Sequence, residues 1–195
     1  MPWNKISIRN YYRHYRHALA LAAMPQAAYA LAAHASEHPV FKTSQAIACY
    51  YSHDDEMNTF PLIAKIWEQG KTCYLPVMTE EKCIKFVRFE ANDALEKNQY
   101  GIFEPVNHSR SLRPSELQLI FMPLVAFDLH GNRLGMGAGY YDRSLAFLFS
   151  ENQNSVRPHL AGIAYAKQQA GPLPTDPWDV PLDSVITENG FRFFS

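Results

Sequence analysis

MPLVAFDLHGNRLGMGAGYYDR, the run from Met122 to Arg143, decides how this chain reads. Gly135, Gly137 and Gly139 alternate with single residues; Arg133 stands before them, and Tyr140, Tyr141, Asp142 and Arg143 follow. A β-branched and aromatic run, Leu117 to Phe127, leads in, and a helix-like run, Tyr140 to Phe149, leads out. The pattern predicts strand, Gly-rich loop, helix. Glycines lack Cβ, so the backbone can approach a ligand closely, and successive free N–H groups form a concave anion nest. The following helix adds its unsatisfied N–H groups and the positive end of its dipole. Arg133 offers a bidentate fork for phosphate or carboxylate, and Asp142 suits the magnesium that accompanies a nucleoside triphosphate. A tight turn with glycines chosen for geometry alone is the simpler alternative; the flanking Arg, Tyr-Tyr and Asp favour an anion site.

Two phosphate-binding templates fail. No Gly, four residues, Gly-Lys-Ser/Thr run exists. The dinucleotide fingerprint G-x-G-x-x-G requires a third Gly one residue later than Gly139, and an acid ~20 residues on. The run instead resembles the signature of 5-formyltetrahydrofolate cyclo-ligases, also called methenyltetrahydrofolate synthetases. The matching pieces are Pro123, Phe127-Asp128, Gly131, Arg133-Leu134-Gly135, Gly137 and Gly139-Tyr140-Tyr141-Asp142.

The whole chain has the make-up of an ordinary globular protein. Its 195 residues suggest one domain spanning 1–195, large enough for a substantial core. Hydrophobic residues at 47% and charged residues at 19% are ordinary for a globular protein. A formal net charge of −1 argues against nucleic-acid or membrane attraction. No apolar run reaches the ~18 residues that span a bilayer, and the N-terminus lacks the apolar core of a secretory signal. Cys49, Cys73 and Cys83 are unclustered and read as small buried hydrophobes in a reducing cytoplasm.

Lys5, Arg9, Arg13 and Arg16 fall at helical spacing on one side of a first helix. From pattern alone a solvated basic face is the simpler reading. The resemblance implies instead that Lys5 and Arg9 bind ATP phosphates, with Arg9 also near the substrate. Met24-Pro25 is expected to break this helix, and Gln26 to Ala35 reads as a second one. Ala46 to Ser52 reads as a buried strand opening into an acidic loop, after which Phe60 to Gln69 is helical, started by Thr59 and Pro61. Asp54 and Asp55 are candidates for capping that helix, or for a ligand at the strand's carboxyl end. The resemblance implies that Glu56 contacts the folate and that Tyr51 is an apolar substrate contact; His53 reads as surface.

Thr72 to Val77 and Lys82 to Glu90 read as strands. Gln99 to Pro105 matches a Gly-Ile-x-Glu-Pro element of the family, but a turn fixed by Gly101 and Pro105 explains Glu104 equally well, so Glu104 is left outside the site. Tyr100 is a candidate for stacking on the ligand. Val106 to Ser115 reads as a linking loop, Glu151 to Arg157 as a polar turn, and His159 to Tyr165 as a strand. Gly171 to Pro181, with prolines at 172, 174, 177 and 181, is irregular. Ser184 to Thr187 and Phe191 to Phe194 close the chain as strands. Within Asp179-Val180-Pro181-Leu182-Asp183, the resemblance implies that Asp179 is a second magnesium-associated carboxylate beside Asp142; turn capping is the alternative.

Alternating strands and helices indicate an α/β protein, and the resemblance implies a Rossmann-like three-layer α/β/α sandwich with a mostly parallel sheet. It further implies a cytoplasmic, monomeric enzyme acting on small molecules, with no nucleic-acid or membrane partner. The reaction implied is ATP-dependent cyclisation of 5-formyltetrahydrofolate to 5,10-methenyltetrahydrofolate, with Mg2+ as cofactor. Arg133 and Arg9 take the catalytic roles. Lys5, Arg9, Arg133, Leu134, Gly135, Met136, Gly137, Ala138, Gly139, Tyr140 and Tyr141 bind ATP. Tyr51, Glu56, Met136, Gly137, Ala138, Gly139 and Tyr140 meet the substrate. Two other readings remain: a non-catalytic folate or nucleotide binder, and a phosphate-binding isomerase or transferase on a similar scaffold.

Overall fold

A computed structural model describes residues 4–150 and 157–194, with the backbone alone for 22–24; the polar turn expected from Glu151 lies outside the described residues up to 156. In chain order the elements are α1 (Lys5–Glu37), α2 (Pro39–Thr43), β1 (Ala46–Ala48), α3 (Phe60–Glu68), β2 (Thr72–Met78), β3 (Ile84–Phe89), β4 (Leu95–Lys97), β5 (Phe103–Pro105), β6 (Ser111–Leu112), β7 (Leu119–Pro123), β8 (Ala126–Phe127), β9 (Arg133–Leu134), α4 (Tyr140–Ser144), β10 (His159–Ile163), β11 (Ser184–Thr187) and β12 (Gly190–Phe193). Eight strands form one sheet in the order β12-β11-β10-β7-β1-β2-β3-β6. The central pairings β11-β10, β10-β7, β7-β1 and β1-β2 are parallel, and the edges are antiparallel.

The period of two along the central strands divides the core. Leu119 and Phe121 face one side with Ile47, Cys49, Cys73 and Leu75; helices α1 to α3 cover that side with Leu31, Phe41, Leu62, Ile63 and Ile66. Ile120 and Met122 face the other side with Ala48 and Leu160. That side is covered differently from the long helix expected over Tyr140–Phe149. Helix α4 stops after five residues and a 3-10 turn continues over Ala146–Phe149. Leu145, Val180 and Leu182 complete the cover.

Several boundaries depart from expectation for identifiable reasons. The break expected at Met24-Pro25 takes the form of a sharp bend inside one continuous helical segment: Lys5–Leu21 and Pro25–Glu37 meet at 103°. Proline removes one N–H and clashes with the preceding turn, which kinks rather than terminates a helix held by packing at both halves. Among the described residues no single helix is long and apolar enough to cross a membrane. Strand β1 stops at Ala48 because Tyr50 and Tyr51 leave the sheet; the Tyr50 carbonyl accepts the Thr59 hydroxyl instead. Thr59 therefore does not cap α3 with its side chain; Asn58 Oδ1 accepts the Phe60 N–H at 3.0 Å. Asp55 pairs with His17 at 2.8 Å, and Asp54 occupies a turn with φ 50°, so neither caps the helix. The expected linking loop after Val106 contributes β6 to the sheet edge, and β4 pairs with β5.

His38 joins α1 to α2, fully buried, with neither ring nitrogen hydrogen-bonded among the described residues. It packs on His159, Phe191 and Phe193. Burial, reinforced by the neighbouring His159, pushes its pKa down to about 4. A folded-state value below the ordinary histidine value means stability present in full above pH ~6.5 and lost as pH falls through the lower value. In urea titrations the wild-type midpoint is expected to fall more steeply between pH 6.5 and 4 than that of His38→Leu. Equal slopes would contradict this assignment.

Candidate active site

The chain leaves the two central strands in opposite directions. From β1 it passes through α3 to β2 on one side; from β7 it reaches β10 on the other. Open α/β sheets bind ligands in the crevice outside the carboxyl ends of such a strand pair. A cavity of about 800 Å³ lies there, a size suited to a cofactor-sized molecule. The fifteen residues to which the resemblance assigns site roles line it, from Lys5 and Arg9 through Tyr51 and Glu56 to the loop 133–142 and Asp179; of the further candidates Asp54 and Tyr100 line it and Asp55 does not.

The loop is reached through a hairpin that the sequence pattern did not reveal. After β7 the chain makes the antiparallel pair β8-β9, with Ala126 opposite Leu134 and Phe127 opposite Arg133. Asp128 shapes its turn: the buried carboxylate accepts N–H groups from His130 (2.9 Å), Asn132 (3.0 Å) and Leu173 (3.0 Å), and the Asn132 side chain (2.9 Å). Burial opposes the charge on Asp128, but these four bonds outweigh it and hold its pKa below the usual carboxylate value. Gly137 (φ 101°) and Gly139 (φ 70°) take left-handed conformations, which L side chains adopt only with strain. A Cβ on Gly137 would meet the Arg9 guanidinium at 3.2 Å, whereas a Cβ on Gly135 would meet nothing within 4 Å. Gly135 thus leaves open space above the loop. Because α4 is only five residues long, its dipole contributes less than the expected helix would; charge at the site comes from side chains.

Those charges are paired with one another. Lys5 Nζ donates to Asp176 at 2.7 Å and Asp179 at 2.5 Å. Burial works against the Lys5 charge, yet these bonds raise its pKa above the ordinary lysine value. Arg133 donates to the Val180 carbonyl and, at 2.7 Å, to Asp142 Oδ1, which also accepts the Val180 N–H at 3.2 Å. Arg9 Nε donates to the Gly135 carbonyl at 2.8 Å. Burial, with Arg13 nearby, lowers its pKa. Tyr100 and Tyr140 meet at the rim with hydroxyl oxygens 3.2 Å apart. Glu56 lies deep in the cavity, its Oε2 accepting the His53 N–H at 3.1 Å. Burial raises its pKa, partly offset by Arg16 and that N–H.

The sequence pattern missed some lining residues. Asp176, Trp178 and Arg143 line the cavity, as does His53, read from sequence as surface. The basic face of α1 is not simply solvated: Arg13 is exposed, but Arg16 is buried and reaches the cavity. Glu104 does line the cavity, yet its Oε1 accepts the Met78 N–H (3.1 Å) and the Asn98 side chain (2.7 Å), a backbone-holding role in keeping with the turn reading.

Comparison with known proteins agrees with this architecture. The model of the 5-formyltetrahydrofolate cyclo-ligase family matches residues 3–188. A 5-formyltetrahydrofolate cyclo-ligase of Haemophilus influenzae is 38% identical over 92% of this chain and 95% of its own. One of Escherichia coli is 36% identical over 77% of this chain and 81% of its own. The NMR structure of Aquifex aeolicus 5,10-methenyltetrahydrofolate synthetase superposes with a TM-score of 0.81 at 32% identity, covering 97% of this chain and 92% of its own. The chain therefore belongs to the 5-formyltetrahydrofolate cyclo-ligase family, a family of ligases.

The contrast between two loop glycines gives a stability test. Gly139→Ala is expected to destabilise the protein by about 1 kcal/mol, because alanine pays for the left-handed backbone. Gly135→Ala, with open space at Cβ, is expected to stay within about 0.5 kcal/mol of wild type. Urea denaturation of the two variants reads the difference directly.

Proposed function

Proceeding from membership of this family, we propose that the chain cyclises 5-formyltetrahydrofolate to 5,10-methenyltetrahydrofolate, coupled to conversion of ATP to ADP and phosphate. The observation that carries this reading is the sharing of one cavity by two unlike sets of residues. Its lining includes the Gly-rich loop with Lys5, Arg9 and Arg133, and also the Glu56 and Arg16 pair with Tyr50 and Tyr51. The first suits a polyphosphate. The second suits a ring that is apolar on its faces and hydrogen-bonding at its edge.

A formyl oxygen on nitrogen is a poor leaving group. Transfer of the γ-phosphoryl group to that oxygen forms an O–P bond, releases ADP and leaves an imino-phosphate. The second folate nitrogen then attacks the activated carbon; a C–N bond forms, the C–O bond breaks, phosphate departs and that nitrogen loses its proton. No protein nucleophile is required, only positioning, charge neutralisation and exclusion of water. In this reading Arg133 and Arg9 neutralise charge on the transferring group, Lys5 holds the nucleotide, and the backbone from Leu134 to Tyr141 cradles phosphates. Tyr140 stands where the two substrates meet, with Tyr51 and Glu56 on the folate.

Magnesium is proposed on two carboxylates with ligands from the nucleotide and water, since among the described residues no group of three or more His, Cys, Asp or Glu side chains is placed to hold a metal. Asp142 and Asp179 both line the cavity and offer hard oxygen donors, and magnesium commonly takes one or two carboxylates with phosphate oxygens and water. It would supply neutralisation of phosphate charge. Lys5 and Arg133, which hold these carboxylates in the free protein, would then be available to the nucleotide. A cytoplasmic location and a monomeric state complete the proposal.

The test is absorbance in the methenyl-folate band with purified protein, 5-formyltetrahydrofolate, magnesium and ATP. The expected result is an ATP-dependent rise with one phosphate released per methenyl group. Saturable folate binding without turnover would favour the non-catalytic binder, and neither binding nor turnover would favour the isomerase or transferase. Arg133→Ala is expected to lower kcat by ~10²–10³, as loss of a transition-state electrostatic donor does; turnover within a few-fold of wild type would refute its role. Gly135→Ala, although stable, is expected to raise KM for ATP at least about tenfold, since its methyl group fills the space left for phosphate.

A further inference from the structure

Of the four basic residues on the first half of α1, Arg16 is the one buried, at 6% exposure. Its Nη1 donates to the Leu124 carbonyl at 3.4 Å and lies 3.8 Å from Glu56 Oε1. Its Nε is shielded from solvent and has no hydrogen-bond partner among the described residues. A guanidinium carries five donors and cannot shed its charge. A buried donor without a partner is unfavourable unless a bound group completes it. Arg16 and Glu56 both line the cavity. Together they place carboxylate oxygens and guanidinium N–H groups side by side in its wall.

Folates carry a 2-amino-4-oxo pyrimidine edge: an amino donor, a ring N–H donor and a carbonyl acceptor in sequence. A carboxylate next to a guanidinium is its complement. We infer that Arg16 is a specificity-determining residue, donating to the 4-oxo group while Glu56 accepts from the 2-amino group and the adjacent ring N–H. This rests on the folate reading above. It follows that the site rejects a 4-amino pteridine, whose donor at that position faces the arginine N–H groups. Arg16 also keeps a positive charge beside the buried Glu56 carboxylate, in the form that accepts two bonds.

Binding of 5-formyltetrahydrofolate and of its 4-amino counterpart is to be measured by titration calorimetry for wild type, Arg16→Met, Arg16→Lys and the exposed-site control Arg13→Met. Turnover with ATP is recorded in parallel for each protein. Wild type is expected to bind the 4-oxo compound about 10–100-fold more tightly, the range for a hydrogen bond to a charged group. Arg16→Met is expected to narrow that ratio by about tenfold, mainly by weakening the 4-oxo compound, with any residual preference held by Glu56 at the ring N–H, and to raise KM for the folate more than it lowers kcat. Arg13→Met is expected to keep the wild-type ratio. A purely structural role would weaken both compounds equally and leave the ratio intact, which would overturn the inference. So would equal binding of both compounds by wild type, a result that needs no variant to fold. Turnover without discrimination would remove the Arg16 assignment alone; absence of both folate binding and turnover would remove the folate reading with it.

Discussion

Lys5, in the first turn of α1, is held by Asp176 and Asp179, residues 171 and 174 positions further along the chain. Arg133 is held in the same way by Asp142. These contacts lay the first helix across the Gly-rich loop and draw the irregular C-terminal segment over both. They differ in energetic character. Lys5 and its partners are 22–42% exposed at their side chains, where ion pairs contribute little to stability. The Arg133 side chain is 6% exposed, so removing Asp142 would leave its charge with the Val180 carbonyl alone, a larger cost than at Lys5. The first set fixes position; the second fixes position and fold together.

The sheet makes this arrangement productive. Strands β1 and β7 lie together at its centre, and their continuations diverge. Side chains from the loop after β1, the loop after β9 and the first helix then converge on one crevice without any of them being close in sequence. The packing that ends β1 early contributes too. The Thr59 hydroxyl binds the Tyr50 carbonyl and accepts the Ser52 N–H, turning Tyr50 and Tyr51 out of the sheet and into the cavity wall.

Much of this was legible in the sequence, for physical reasons that differ by element. Leu119–Pro123 read as a strand because it is buried on both faces, and buried strands are continuously apolar. The glycine spacing was legible as a tight loop because positive φ at Gly137 and Gly139 favours that residue type. The hairpin β8-β9 was not legible, since two-residue strands carry no periodicity. The break at Pro25 was legible because proline removes an N–H and clashes with the preceding turn; that the backbone stays helical through the bend was not. Arg16 was hidden as well. Lys5, Arg9, Arg13 and Arg16 give the same helical stripe whether the face meets water or a cavity, and only the fold separates Arg13 from Arg16.

The central claim is that the cavity brings the phosphoryl group onto the formyl oxygen. Substrate labelled with ¹⁸O at the formyl group tests it most directly. After single-turnover conversion with unlabelled ATP, mass spectrometry of the released phosphate is predicted to show one ¹⁸O per phosphate. Unlabelled phosphate, with the isotope recovered in water, would contradict phosphorylation of the formyl oxygen and with it the roles given to Arg133, Arg9 and the loop.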